Sequence, residues 1–331
     1  MKFEFKKRVV LSAVAAMTSV MLLLAGCGSS AQKPSDAKAE ETEAVKTTAE
    51  IKNDGDWKKL TFSEENGEYA VSGVNDTSAE KLVLPTGYKG KPVTRVNANA
   101  FTECKKLRKI DIPSAYTAIG ANAFKDCKSL ETVTLNDGLK SIGGYAFEGC
   151  VKLKSITIPD SVETILMNAF HDCKSLTEIS LPEKVTNIND FLFAGCEKLE
   201  TVSLSKKTTR LGSNAFEGCA SLKKAEIPDS VKTLCGCAFK GCKSVDEISI
   251  GSGISAIGAR IFENCESVES LVIPDNIKTI GNYTFFNCKK LSNVTFPKAL
   301  ESIGGNAFKR TQVSSSSVPE GCKVLESSFD K

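Results

Sequence analysis

The chain has 331 residues, with 43 lysines and arginines against 40 aspartates and glutamates, and one histidine. So even a balance lacks the basic surface that nucleic-acid binding needs. A single histidine also argues against histidine-based nucleophilic catalysis and histidine-rich metal sites.

The first element in chain order is an export signal. Lys2, Lys6, Lys7 and Arg8 precede an apolar run from Val9 that ends in Leu24-Ala25-Gly26-Cys27. This is the layout of a signal peptide over residues 1–26. Its end resembles a bacterial lipobox. The resemblance implies cleavage before Cys27, lipidation of that cysteine, and a protein anchored to the bacterial cell membrane and facing outside. An ordinary signal peptide cut near the same place, or a transmembrane helix, are the alternatives. Residues 27–55 are rich in Ser, Ala, Lys, Glu and Thr, with almost no large apolar side chain, and are expected to form a disordered tether. A lipid on Cys27 would then anchor the chain rather than span the membrane. Removing the first 26 residues takes away four basic and one acidic residue and leaves 39 of each, a net charge of zero.

Residues 56–92 read as an amino-terminal cap. Leu82-Val83-Leu84-Pro85 has the form of a strand stopped by proline, and Gly87 to Pro92 lengthens the coil before Val93. Tyr69 and Val71 upstream supply apolar cover for the first coil.

Residues 93–311 are a repeat array. Phe101, Phe124, Phe147, Phe170, Phe193, Phe216, Phe239, Phe262, Phe285 and Phe308 stand 23 residues apart without an insertion or deletion. A fixed short period marks a solenoid, in which each repeat is one coil stacked on the last. Three residues after each of the first nine comes a cysteine, from Cys104 to Cys288, and three further on a Leu or Val. An alternating pair such as Ile110 and Ile112 then predicts a half-buried strand, which a proline such as Pro113 or Pro159 ends. A V-x-x-I-G stretch crosses the coil. Asn122, Asn168, Asn214 and Asn306 stand two residues before Phe, where a side-chain oxygen is expected to cap a short helical turn. Residues 312–331 read as a capping partial repeat, with Val318-Pro319 and Leu325 matched to Ile227-Pro228 and Leu234, and Cys322 in an apolar column.

This consensus, I-G-x-x-A-F-x-x-C-x-x-L-x-x-I-x-I-P, seen well from Ile142 to Cys150, resembles the BspA-like leucine-rich repeats of bacterial surface proteins. The resemblance implies a leucine-rich repeat solenoid of α/β horseshoe-like form used for binding. It would carry a parallel β-sheet on one face and short helical turns on the other.

An exported chain with many cysteines raises the question of disulfides. The cysteine column lies between Phe and Leu in the inward series, so the expectation is buried free thiols acting as small hydrophobes. Cys235 and Cys237 lie outside the column, in turn positions, and read as drift in a turn rather than as a redox pair.

Nothing in the sequence stands out as chemistry, and neither an enzyme activity nor a metal or cofactor is expected. His171 follows Phe170 in a slot that elsewhere holds Lys125, Glu148, Glu217 or Lys240, so a solvated surface side chain is expected. Gly251 to Ala256 fits G-x-G-x-x-A but occupies the proline turn and opens no helix, which the phosphate-loop reading requires. Asp137, Asp160, Asp229 and Asp275 read as turn residues.

What remains is a surface. Outward strand positions form two columns that include Lys109, Thr132, Ser155, Glu178, Thr201, Lys224 and Glu247 in one, and Asp111, Thr134, Thr157, Ser180, Ser203, Glu226 and Ser249 in the other. Solenoids bind partners on such extended faces. The expectation is a monomeric, lipid-anchored surface protein whose partner is an extracellular protein of a host or bacterial surface, or a glycan. An envelope structural or glycan-capturing accessory role is the alternative. The columns hold no aromatic or arginine anchor, which argues against one strong protein hot spot there. Loops or the opposite side, where Tyr145, Phe191 and Tyr283 replace Asn, are further candidates.

Overall fold

A computed structural model describes residues 53–330. The signal peptide, Cys27 and residues 27–52 of the tether lie outside the described residues.

After the 3-10 turn Trp57–Lys59, the described part forms an antiparallel hairpin, Leu60–Glu65 against Glu68–Val74. Asn66 and Gly67 turn it with φ of 55° and 82°, the left-handed pair that a two-residue hairpin favours. The second strand pairs in parallel with Lys91–Val96 and so joins the hairpin to the repeats. Phe62 stacks on Tyr88 with ring centroids 4.1 Å apart, and Tyr69 meets Tyr88 edge-on at 5.0 Å. Asn53 and Asp54 already contact this cap: their side-chain oxygens accept the backbone N–H groups of Lys89 and Thr86. Tyr116 fills an apolar column of the first coil and donates its hydroxyl to the Pro85 carbonyl at 2.8 Å.

From there the chain winds as a β-solenoid. Each coil has three sides. The first is the predicted strand, whose residues pair with those 23 later; Lys109–Ile112 lies on Thr132–Leu135 in this register. The second is a two-residue strand such as Ala118–Ile119 or Ser141–Ile142, again paired 23 apart. The third carries Phe and Cys, and here the expected helical turns give way to tight turns. No α-helix occurs among the described residues; the only helical segments are 3-10 turns at Trp57–Lys59 and Ser315–Ser317.

The physical reason is backbone handedness. In every 23-residue coil, the residues two before and two after Phe have positive φ. Around Phe124 they are Asn122 (56°) and Asp126 (58°). A right-handed helix cannot pass through such residues. The asparagines at this slot are therefore not helix caps. They are there because Asn accepts the left-handed region more readily than most residues. In place of helical bonds, this side makes a ladder of its own. The N–H groups of Asn122, Phe124 and Asp126 donate to the carbonyls of Gly144, Ala146 and Glu148 in the next coil, at 2.9, 2.7 and 2.8 Å.

The three sides enclose one apolar core. The ten phenylalanines stack face to face, with neighbouring centroids 4.9 to 5.7 Å apart, and none is more than 2 % exposed. Phe329 adds a further ring to the column, 5.2 Å from Phe308. The glycine before the turn is needed because coils approach closely: a Cβ on Gly120 would lie 2.5 Å from the Ala98 nitrogen. The last coil is two residues short. Val324, rather than Leu325, pairs with Ile303 and continues the column of Leu234, which leaves Leu325 exposed. Cys322 is half-buried against the core.

Candidate functional site

The cysteine column carries chemistry, but of a structural kind. The twelve cysteines of the described part are free, and the nine of the column are buried. Each thiol from Cys127 to Cys288 points at the carbonyl of the Phe one coil back; Cys150 donates to Phe124 O at 3.2 Å and Cys196 to Phe170 O at 3.2 Å. That oxygen already accepts the N–H of the cysteine in its own coil, as Phe124 O does from Cys127 at 3.1 Å. The thiol thus takes the second lone pair of a buried carbonyl. Sequence reasoning treated these sulfurs as plain hydrophobes and missed the bond. A strictly repeated cysteine, where Ala or Val would fill similar space, is the signal that pointed to it. Burial pushes the thiols from Cys150 to Cys288 above their ordinary range, Cys288 to about 12. Such thiols stay protonated and unreactive.

Other candidates resolve as structure. His171 is half-buried rather than solvated, with Nδ1 3.3 Å from Glu148 Oε1 of the preceding coil. The Gly251 turn uses its own donors: Asp229 Oδ1 accepts the Ser252 N–H at 2.7 Å and its hydroxyl at 3.0 Å. These bonds hold the Asp229 carboxyl below its usual range. Cys237 occupies the left-handed slot with φ of 61°. Among the described residues, no group of three or more His, Cys, Asp or Glu is placed to hold a metal ion.

The two outward columns lie where the strand alternation puts them. Lys109, Thr132, Ser155, Glu178, Thr201, Lys224 and Glu247 are exposed. So are Thr157, Ser180, Ser203 and Glu226, whereas Asp111, Thr134 and Ser249 are half-buried. The structure draws six of them together. Ser155, Thr157, Glu178, Ser180, Thr201 and Ser203 line a cleft of about 570 Å³, together with Asp160 and Glu183. The cleft opens where residues 155–158 depart from strand geometry and keep only a bridge from Ser155 to Thr132. Lys109, Asp111, Thr132 and Thr134 lie toward the amino end of the same face. Toward the other end, Lys224 Nζ sits 2.9 Å from Glu247 Oε1 and 3.8 Å from Glu226 Oε2, and the Glu247 bond raises the lysine above its usual range.

The turn edge differs in kind. Tyr145 and Phe191 take the left-handed slot at φ of 60° and 55°, and Leu166, Met167 and Phe191 are exposed nearby in the chain. Further along, the Arg260 guanidinium lies 4.2 Å over the Tyr283 ring, a cation–π stack between adjacent coils.

This geometry has solved counterparts. The chain is similar to a leucine rich cell surface protein from Faecalibacterium prausnitzii, with 27% identity and a TM-score of 0.62 over 82% of this chain and 84% of that one. It is also similar to the T. pallidum leucine rich repeat protein, with 26% identity and a TM-score of 0.47 over 71% and 88%. A leucine-rich repeat protein from Eubacterium ventriosum is similar at 20% identity and a TM-score of 0.49 over 80% and 90%. No curated relative matches the chain. The family profile described as BspA type leucine rich repeat region matches residues 94–223 and 209–330, in six copies. Its strands, its buried Phe and Cys columns and this match agree, and the chain belongs to the BspA type leucine-rich repeat family.

Proposed function

We propose that this protein is a non-enzymatic binding scaffold at the bacterial cell surface. In this reading it is lipid-anchored through Cys27 and engages an extracellular protein, of a host or of another bacterium, through its sheet face. The observation that carries this is the cleft between Ser155 and Ser203, which gathers hydroxyls and carboxylates on the outward columns of a rigid stack. The name of the F. prausnitzii relative, a cell surface protein, supports the location. A glycan is the second reading, because Ser155, Thr157, Ser180, Thr201 and Ser203 offer both donors and acceptors to sugar hydroxyls. The domains would then be a signal peptide (1–26), a tether (27–55), a cap (56–92), the repeat array (93–311) and a closing partial repeat (312–331), acting as a monomer.

The test is capture by purified protein on a panel of host matrix proteins and on a glycan array. Protein hits that weaken in a Lys224→Glu, Glu226→Lys double variant support adhesion through the sheet face. Hits on glycans alone, weakened by Glu178→Ala, support the second reading. Silence on both sinks the sheet-face reading. Radiolabelled fatty acid that enters the wild type but not Cys27→Ala tests the anchor.

A further inference from the structure

The first member of the cysteine column stands apart from the rest. The eight thiols from Cys127 to Cys288 each donate to a Phe carbonyl one coil back. Cys104 makes no such bond among the described residues; Ser78, in the cap, stands where that Phe would be. The Cys104 thiol lies instead within hydrogen-bond reach of the Cys127 thiol. Phe101 and Phe124, in the same two coils, are the closest neighbours in the ring stack, at 4.9 Å against 5.1 to 5.7 Å elsewhere. Cys104 is also 4 % exposed, whereas Cys127 to Cys288 have no exposure. Coils one strand spacing apart, about 4.8 Å, fall within the Cα range that a disulfide spans.

We propose that Cys104 and Cys127 are an oxidisable pair, which a peroxide closes into a disulfide that fastens the first two coils of the array together. Cys104 is the attacking sulfur. It has the access, and the Cys127 thiol beside it lowers it from its ordinary value. Cys127 is the resolving sulfur, raised by the same pairing and by burial, so it keeps its proton until the second step. In the first step the Cys104 thiolate attacks one peroxide oxygen. An S–O bond forms and the O–O bond breaks, giving a sulfenic acid and a hydroxide that takes up the Cys104 proton as water. In the second step the Cys127 sulfur attacks the Cys104 sulfur. The S–S bond forms, the S–O bond breaks, and the hydroxide leaves as water with the Cys127 proton. The two thiols are oxidised by two electrons and the peroxide is reduced to water. Closure takes the Cys127 thiol from Phe101 O at 3.0 Å, but that oxygen keeps the Cys104 N–H at 3.1 Å. A bridge between later neighbours such as Cys150 and Cys173 would break two thiol–carbonyl bonds, to Phe124 O and Phe147 O, and would need an oxidant to reach sealed sulfurs. The cross-link falls at the joint beside the cap and limits the freedom of the unfolded chain there. It would close whether or not the sheet face binds a partner.

The test adds hydrogen peroxide in large excess to the folded mature protein. The protein is then denatured, its remaining thiols are alkylated, and its peptides are mapped by mass. The peptides of Cys104 and Cys127 are expected joined by a disulfide that dithiothreitol reverses, with Cys150 to Cys288 recovered as alkylated thiols. Cys127→Ser should leave Cys104 as a sulfenic acid that dimedone captures, and Cys104→Ser should leave Cys127 a free thiol. The wild-type map decides alone where either variant fails to fold. Cys104 and Cys127 recovered from wild type as free thiols overturn the pair. So does Cys104 joined to any other cysteine, or later members of the column joined as readily as these two.

Discussion

The Cys150 thiol donates to the Phe124 carbonyl of the coil before it at 3.2 Å, while Cys127 N–H holds the same oxygen at 3.1 Å. One buried acceptor is thus shared by two cysteines from adjacent coils. Replacing Cys150 with Ala removes the thiol bond but leaves the oxygen with its backbone donor. The expected cost is therefore moderate, about 1–2 kcal/mol from the lost bond and a small void. A smaller cost for Cys150→Ser than for Cys150→Ala in denaturant titration would identify the bond rather than the volume as the source. Equal costs would identify the volume.

Phe170 lies 5.5 Å from Phe147 and 5.7 Å from Phe193, midway along the stack and fully buried. Phe170→Ala should cost roughly 3–5 kcal/mol, part of it from the cavity. Because coils are stabilised through their neighbours, the weakened joint should also split the unfolding transition. Probes placed on either side of coil 170 should report different midpoints. A single coincident transition would refute the split.

Phe191 holds φ of 55° and is 38 % exposed. The left-handed conformation costs an ordinary side chain about 1–2 kcal/mol, and Asn relieves part of this. Phe191→Asn is therefore expected to stabilise by about 0.5–1 kcal/mol. The converse change, Asn122→Ala, should destabilise by a similar amount. Thermal melts of both variants check the sign.

Burial raises the thiols of Cys150, Cys173, Cys196, Cys219, Cys242, Cys265 and Cys288 above their ordinary value. An unfolded thiol ionises near 8.5. Above that pH the unfolded chain has released protons that the native core retains. The stabilisation is therefore complete below about pH 8.5 and is lost as pH rises toward the folded values. Each thiol contributes a slope of about 1.4 kcal/mol per pH unit in that window. Denaturation midpoints under reducing conditions should fall steeply between pH 8 and 10. A flat profile would show that the sulfurs are not sealed in the core.

The coil was legible because the period of 23 is unbroken, and inward positions from Phe101 to Ile112 follow from alternation and polarity. The turn side was not. Asn122 is as suitable for a helix cap as for a left-handed residue, and composition does not separate the two. Tyr145, Phe191, Cys237 and Arg260 in the same slot were the better clue, since none is a capping residue and all keep φ near 60°. The outward columns were readable from the strand, but the cleft at Ser155 depends on a lapse in pairing that no local pattern announces. Phe329 was missed as a member of the ring stack because its coil is two residues short.

The N–H groups of Phe and of the residues two before and two after it all donate toward the following coil, and the last of them, from Arg310, ends on the Asp330 carboxylate at 2.7 Å. A side chain has taken the place of the missing next turn of backbone. In-frame duplication or excision of one 23-residue unit between the ends would leave every such donor with an acceptor. The reach of the rod can therefore change by whole steps through gene rearrangement, while the two closing structures are inherited unaltered.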